Sequence, residues 1–223
     1  MKVGVILFHK NIKKIYKERW IKESANSIIN QSFKDFVIYE INYGGDKFSL
    51  SSISDFSNFE HKFFRIKKQN HAEAQNFLLQ ECFNDGCDYI FNTNLDDISH
   101  SDRFQKQIEF ILKNRNTDIL STDIQYIEED KDGKDKKTIH LNLSNFKDWK
   151  EIKTQLDRNH NVVAHPTVLY SRKFIENNKY NPEEIPLEDI SLWQRTVSEY
   201  EFNILPEVLL DYRIHDNQVS KNK

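Results

Sequence analysis

KVGVILFHKNIKKIYKERWIKESANSIINQSFKDFVIYEIN, residues 2–42, changes its hydrophobic period twice. Lys2 to Phe8 is a short apolar run of the kind that a strand buried on both faces carries. From about Lys17 to Gln31 the apolar residues Trp20, Ile21, Ala25, Ile28 and Ile29 recur at helical spacing. Phe36 to Ile41 returns to strand character and stops at Asn42, before the turn residues Gly44, Gly45 and Asp46. A strand, a helix and a second strand in that order predict an α/β start.

The same rhythm continues outward. Lys62 to Ile66 reads as a third strand, His71 to Phe83 as a helix with Ala74, Phe77, Leu78 and Cys82 on one side, and Tyr89 to Phe91 as a fourth strand after Asp85 and Gly86. Alternating strands and helices predict a mostly parallel central sheet with helices on both faces. The second half is less regular. A helix from about Asp102 to Lys113 precedes two stretches, Asp118 to Ile127 and Lys137 to Leu143, that flank a turn at Asp132 and Gly133 and suggest a hairpin. Helical pieces are expected over Asn145 to Leu156 and Leu187 to Tyr200, with short strands near Thr167 to Tyr170 and Val208 to Tyr212. The chain thus reads as a single domain over 1–223, an α/β half of about 1–100 and a mixed half of about 101–223, with the seam near Asn92 to His100.

Bulk properties agree with one soluble domain. At 223 residues the chain can bury a substantial core, and 38% hydrophobic with 30% charged residues is a globular composition. A formal charge of -3 argues against nucleic acid as the main partner, since phosphate-backbone binding needs a surplus of Lys and Arg. No apolar run approaches the ~20 residues that span a bilayer, and MKVGVILF reads as a strand rather than a signal peptide. A cytoplasmic or otherwise soluble intracellular setting is expected. Cys82 and Cys87 are too close to staple much chain and have no second pair for zinc, so free thiols are expected.

In an open parallel sheet, ligands bind beyond the carboxyl ends of the strands. There FNTNLDDIS, Phe91 to Ser99, sets Asp96 and Asp97 side by side at a strand exit. Adjacent carboxylates raise each other's cost of ionisation, which a divalent cation would relieve. Mg²⁺ and Mn²⁺ take oxygen ligands, usually one or two carboxylates plus substrate diphosphate. The ordinary alternative is a polar turn, or a cap on the helix near Asp102. A second acidic pair lies in PLEDISLWQR, Pro186 to Arg195, where Glu188 and Asp189 open a helix that turns Leu192 and Trp193 to the core. A carboxylate there can accept a proton from an attacking hydroxyl, or it can simply complement the helix dipole.

These segments, in order, resemble the family 2 glycosyltransferases of GT-A (Rossmann-like) fold. VGVILFHKN is similar to the family's opening strand, SIINQSFKDF to its first helix and turn, and NTNLDDI to its DxD region. HPTVLYSR (His165 to Arg172) resembles its acceptor-side segment, PLEDISLWQR its ED motif, and LPEVLLDYRIHDNQVS (Leu205 to Ser220) its closing segment. The resemblance implies an enzyme that moves a sugar from a nucleotide diphosphate, UDP by default, to a hydroxyl of a glycan, protein or lipid. Phe8, His9 and Asn42 match base- and ribose-holding positions, with Asn42 where Asp is usual. Asn76 matches an Asn near the nucleotide, and Gln75 replaces a customary Arg.

Within the DxD region Asn94 replaces the first Asp and retains amide hydrogen bonding toward a ribose hydroxyl, and Leu95 follows it at the nucleotide-sugar site. Asp96 stands at the metal-binding position, for Mn²⁺ or Mg²⁺. The resemblance therefore implies metal binding weakened but not abolished. Asp97 orients the loop or touches the donor sugar. Asp189 corresponds to the general base and Glu188 to a residue that positions a substrate, for a single displacement with inversion. His165 lies near the acceptor side. His215 is within reach of the metal or diphosphate in this reading, and Arg213 of a phosphate.

Two rival functions compete with this reading. A sugar nucleotidyltransferase would want a glycine-rich loop after its first strand, but the chain has five glycines and none between Phe8 and Lys17. Kinase and dehydrogenase fingerprints are missing for the same reason. A non-catalytic module of the same fold draws support from Asn42, Asn94 and Gln75, against which stand the retained Asp96, Glu188 and Asp189.

Overall fold

The first 92 residues fold as their periodicity requires. In the computed structural model, which describes residues 1–68, 70–146 and 148–218, β1 (Val3–His9) leads through a single turn, α1 (Ile12–Ile15), to α2 (Glu18–Ile29) and β2 (Val37–Asn42). β3 (His61–Arg65), α3 (His71–Asn84) and β4 (Tyr89–Asn92) complete this half. The Asn70 side chain caps α3 by accepting from the Glu73 backbone N–H at 3.1 Å, which explains the sharp start of that helix. The four strands run parallel in the order β3-β2-β1-β4.

The second half adds β5 (Ile98–Ser99), α4 (Arg103–Lys113), the long β6 (Thr117–Glu129), β7 (Asp135–Leu141) and α5 (Trp149–Asp157). It closes with β8 (Leu169–Ser171), α6 (Arg172–Asn177), α7 (Glu188–Thr196) and β9 (Glu201–Ile214). The expected hairpin is the antiparallel pair β6–β7. All strands join one sheet, β3-β2-β1-β4-β8-β6-β9-β5, with β7 alongside β6. Past β4 the sheet is mixed: β8 is antiparallel to both β4 and β6, β9 is parallel to β6, and β5 is antiparallel to β9. The sheet is therefore mostly parallel only in the first half, because hydrophobic pattern reports burial and not strand direction.

β9 starts seven residues before the expected Val208. Pro206 and charged neighbours interrupt its alternation, and the β6–β9 register shifts at that point, between Thr122/Leu205 and Asp123/Val208. α7 ends at Thr196 rather than Tyr200, and α1, β5 and α6 are too short to show a period. The last two residues of the closing segment, Val219 and Ser220, lie outside the described residues.

Successive strand residues feed two cores, one on each face. Ile6, Ile41, Ile90, Ile119 and Tyr170 pack with α3, α6 and α7 around the wholly buried Trp193. Val5, Leu7, Ile38, Phe91 and Leu120 pack with α2 and α4, where Phe91 and Phe104 stack with ring centroids 4.0 Å apart. Cys82 and Cys87 are buried free thiols in the first core. This frame holds the carboxyl ends of β1, β2 and β4 opposite the amino end of α7.

Candidate active site

The loop that leaves β4 is fixed from several sides. Thr93 Oγ1 donates to the Ile6 carbonyl at 2.8 Å, and Ser24 Oγ donates to the Asn94 carbonyl at 2.9 Å. From β9, the Arg213 backbone N–H donates to Asp97 Oδ1 at 2.9 Å and Arg213 Nε donates to the Asp96 carbonyl at 2.9 Å. Arg103 lies under the loop, wholly buried, donating to the Asn92 carbonyl at 2.7 Å, Ser99 Oγ at 2.9 Å and Gln107 Oε1 at 3.0 Å. Burial lowers its guanidinium to about 9, with the charge of Asp97 acting the other way. So many contacts leave the loop preorganised.

The two adjacent carboxylates have different surroundings. Asp97 is turned into the protein; burial, and then the charge of Asp96, push its carboxyl well above the usual range. Its Oδ2 has no hydrogen-bond partner among the described residues. Asp96 faces the cleft, and its Oδ2 lies 3.0 Å from His215 Nε2. The His215 ring is held between Tyr16 and Trp20, at centroid distances of 5.3 and 5.2 Å. Tyr16 also lines the cleft, its hydroxyl kept protonated by burial and by the charges of Asp96 and Asp97.

A cleft of about 830 Å³ joins this loop to the second acidic pair. Phe8 and His9 line it at the exit of β1, and Asn94, Leu95 and Asp96 at the exit of β4. His165, Glu188 and Asp189 line its other wall. α7 has no side-chain cap, so its open first turn carries Glu188 and Asp189 with the helix dipole favouring their negative charge. Glu188 Oε1 lies 2.6 Å from His71 Nε2, at the start of α3. Burial works to raise the Glu188 carboxyl, but the hydrogen bond and charge of His71 outweigh it and hold the group below the usual carboxylate range. Asp189 Oδ1 accepts from the Ile190 N–H at 2.7 Å, and Oδ2 accepts from Asn161 Nδ2 at 3.0 Å.

Histidines shape both walls. His165 Nε2 lies 3.1 Å from both Gln75 Nε2 and the Tyr180 hydroxyl, and burial lowers its pKa, favouring the neutral ring. His9 Nε2 and His61 Nε2 each lie 2.8 Å from one oxygen of Glu40, which also accepts from the Leu50 N–H at 2.8 Å. Burial would raise the Glu40 carboxyl, but the hydrogen bonds of His61 and His9 bring it down to about 2.

Several expected residues do other work. Asn42 is wholly buried and folds its own turn, accepting from the Gly44 N–H at 3.1 Å and donating to Asp46 Oδ1 at 2.6 Å and the Phe48 carbonyl at 3.0 Å. Asn76 is spent on the Tyr180 backbone, donating to its carbonyl at 2.8 Å and accepting its N–H at 2.9 Å. Gln75 turns inward instead, its Nε2 3.2 Å from Asn92 Oδ1 and from the Tyr170 hydroxyl. Arg213, expected at a phosphate, is wholly buried and paired with Glu23 at 2.9 Å and with Asp135, its guanidinium 5.1 Å from the Trp20 ring centre. Strand alternation puts Tyr212 in the cleft in its place. Of the expected site residues, Asn42, Asn76, Asp97, Arg213 and His215 do not line the cleft, and His215 lies behind two that do, Asp96 and Tyr16.

His71, Asn161 and Tyr16 escaped the sequence reading. His71 and Asn161 act on partners 117 and 28 positions away, a relationship that no local pattern encodes.

A Rossmann-like half that opens through an acidic loop onto the carboxylate-bearing helix of a mixed second half is the GT-A class of protein. Residues 7–178 match the family model for glycosyl transferase family 2. The chain belongs to that family and is a glycosyltransferase. It is 29% identical over 217 residues to an uncharacterized glycosyltransferase of Methanocaldococcus jannaschii, covering 92% of this chain and 70% of the relative. It is 25% identical over 221 residues to the O-antigen biosynthesis glycosyltransferase WbnJ of Escherichia coli, covering 92% and 78%.

The fold is similar to that of S. aureus TarS 1-349 in complex with UDP, with a TM-score of 0.67 at 16% identity over 97% of this chain. It is also similar to the mannosyltransferase PcManGT of Pyrobaculum calidifontis in complex with GDP-Man and Mn²⁺, with a TM-score of 0.63 at 10% identity over 95% of this chain. The chain spans 61% and 56% of those two solved chains, and 37% of a longer TarS chain. No helix among the described residues is long and apolar enough to cross a membrane.

Proposed function

We propose that this chain transfers a sugar from a uridine diphosphate sugar to an acceptor hydroxyl, with inversion, and that a divalent cation assists. What supports the reading is that Asp96 and Asp189, on different halves of the fold, line one cleft. Asp189 accepts the proton of the attacking hydroxyl as its oxygen bonds to the sugar C1 and the bond from C1 to the diphosphate breaks. Glu188, steadied by His71, positions a substrate beside it. Phe8 and His9 hold the base and ribose at the exit of β1, with Asn94 toward the ribose. Asp97 serves as the loop's anchor rather than as a contact to the donor.

The residues at the loop fit a metal of the Mg²⁺ or Mn²⁺ kind. Asp96 and His215 supply one carboxylate and one imidazole 3.0 Å apart, and the buried Oδ2 of Asp97 behind them has no partner among the described residues. Among the described residues no group of three or more His, Cys, Asp or Glu could hold an ion unaided. Substrate oxygens and water must therefore complete the coordination, as is usual for these hard cations. A bound ion would neutralise charge on the departing diphosphate.

The test is nucleoside-diphosphate release, UDP from UDP-glucose, UDP-galactose and UDP-N-acetylglucosamine and GDP from GDP-mannose as the contrasting donor, with and without MnCl₂, using water as acceptor. Turnover of a UDP-sugar that EDTA suppresses supports the reading. No turnover of any donor, or turnover of GDP-mannose alone, overturns it.

A further inference from the structure

Asp189 has two hydrogen bonds to separate parts of the chain, one to its own helix and one to a loop 28 positions earlier. Resting on the proposed role of Asp189, we infer that Asn161 is the positioning residue of the proton acceptor: it fixes the plane of the Asp189 carboxylate from outside α7. Its amide orientation follows from its own partner. The Val163 backbone N–H, which can only donate, meets Asn161 Oδ1 at 3.1 Å, so the NH₂ end faces Asp189 Oδ2 at 3.0 Å. With Ile190 N–H on Oδ1 at 2.7 Å, each oxygen takes one fixed donor and keeps capacity for a second partner. A partly exposed aspartate held at one point would exchange rotamers; held at two, it presents one face to the cleft.

The loop that carries Asn161 is docked on the same helix. Gln194 Nε2 donates to the Leu156 carbonyl and to Asn159 Oδ1, both at 2.7 Å, and Val162 and Val163 are buried in the core beyond. Asn159 turns the chain there with a φ of 63°, in the left-handed region that Asn tolerates best after glycine. On the opposite side His71 holds Glu188. The two carboxylates at the head of α7 are thus gripped from α3 and from the α5–β8 connection, and only the Asn161 grip reaches the base itself.

The experiment measures UDP release from the UDP-sugar that the parent turns over, with water as acceptor, in parent, Asn161→Asp, Asn161→Ala, Asp189→Asn and the double variant Asn161→Ala/Asp189→Asn. Asn161→Asp retains the acceptor for Val163, and so the loop, but sets a carboxylate against Asp189. We expect kcat to fall at least about tenfold in both Asn161 variants while the donor KM stays within about twofold, a loss confined to the reacting step. In the Asp189→Asn background, Asn161→Ala should cost nothing further, because a residue acting through another has no separate effect once that partner is disabled. A parent-like kcat in Asn161→Asp, or losses that multiply in the double variant, would overturn the inference while leaving the role of Asp189 intact. A parent-like rate in Asp189→Asn would instead overturn the proton-acceptor assignment, and this inference with it.

Discussion

Asp96 Oδ2 and His215 Nε2 lie 3.0 Å apart although 119 positions separate them in the chain. The contact unites the loop after β4 with the end of β9, and Tyr16 and Trp20 hold the ring in place. If the pair grips a divalent ion, both members contribute to nucleotide binding. Asp96→Ala should abolish Mn²⁺-dependent binding of UDP, and His215→Ala should weaken it by at least about tenfold, the scale on which ligand-orienting groups act. Titration calorimetry with and without Mn²⁺ reads both; an affinity unchanged by Asp96→Ala would remove the metal assignment.

Asp189→Asn keeps the shape of the side chain and removes its ability to take a proton. Donor affinity should remain within about twofold while transfer falls at least about 100-fold, the contribution of a positioned general base. Equal UDP binding with a lost rate is the expected pattern; a parallel loss of binding would make Asp189 a donor-holding residue instead.

His71 bridges to Glu188 at 2.6 Å from another helix. His71→Ala leaves a buried carboxylate without its partner, since Glu188 Oε2 already has none among the described residues. Stability should fall by about 1–3 kcal/mol, the usual cost of an orphaned buried polar group. Urea denaturation measures it, and His71→Gln, which can still donate, should recover part of the loss.

Glu40, between His9 and His61, predicts a pH signature. Its folded pKa of about 2 lies below the ordinary 4.5, so its contribution is fully present above pH 4.5 and is lost as pH falls toward 2. Glu40→Gln should lower the melting temperature at pH 6–7, and the gap to the parent should narrow as pH drops through that window. A gap constant down to pH 3 would show that packing, not charge, sets the effect.

The fold was legible where each element repeats its own period. β1 and β2 declared themselves as short apolar runs around Ile6 and Ile38, and α2 and α3 through residues such as Ile21 and Leu78 at helical spacing. The direction of β8 and the length of β9 were not legible, because pairing is a relation between segments and Leu169 reads the same in either direction. At the site, Asp96, Glu188 and Asp189 stood out as carboxylate pairs at element ends. Arg213 looked equally suited to a phosphate, yet Glu23 and Asp135 had claimed it from distant parts of the chain. Asn42 and Asn76 were claimed in the same way by nearby and distant backbone.

The irregular stretch of β9 settles which side chains enter the cleft. From Leu205 to Asp211 this strand advances six residues (211 − 205) while β6 advances three, from Thr122 to Gln125 (125 − 122). The surplus fixes odd and even downstream, sending Tyr212 toward the cleft and Arg213 into its cage of acids. Inserting or deleting one residue beside Pro206 would invert that parity, exposing the guanidinium and burying the phenol, with every atom of the loop after β4 still in its native sequence. The odd step between Val208 and Asp211, three residues against two on β6, acts as a phase marker for the rest of β9.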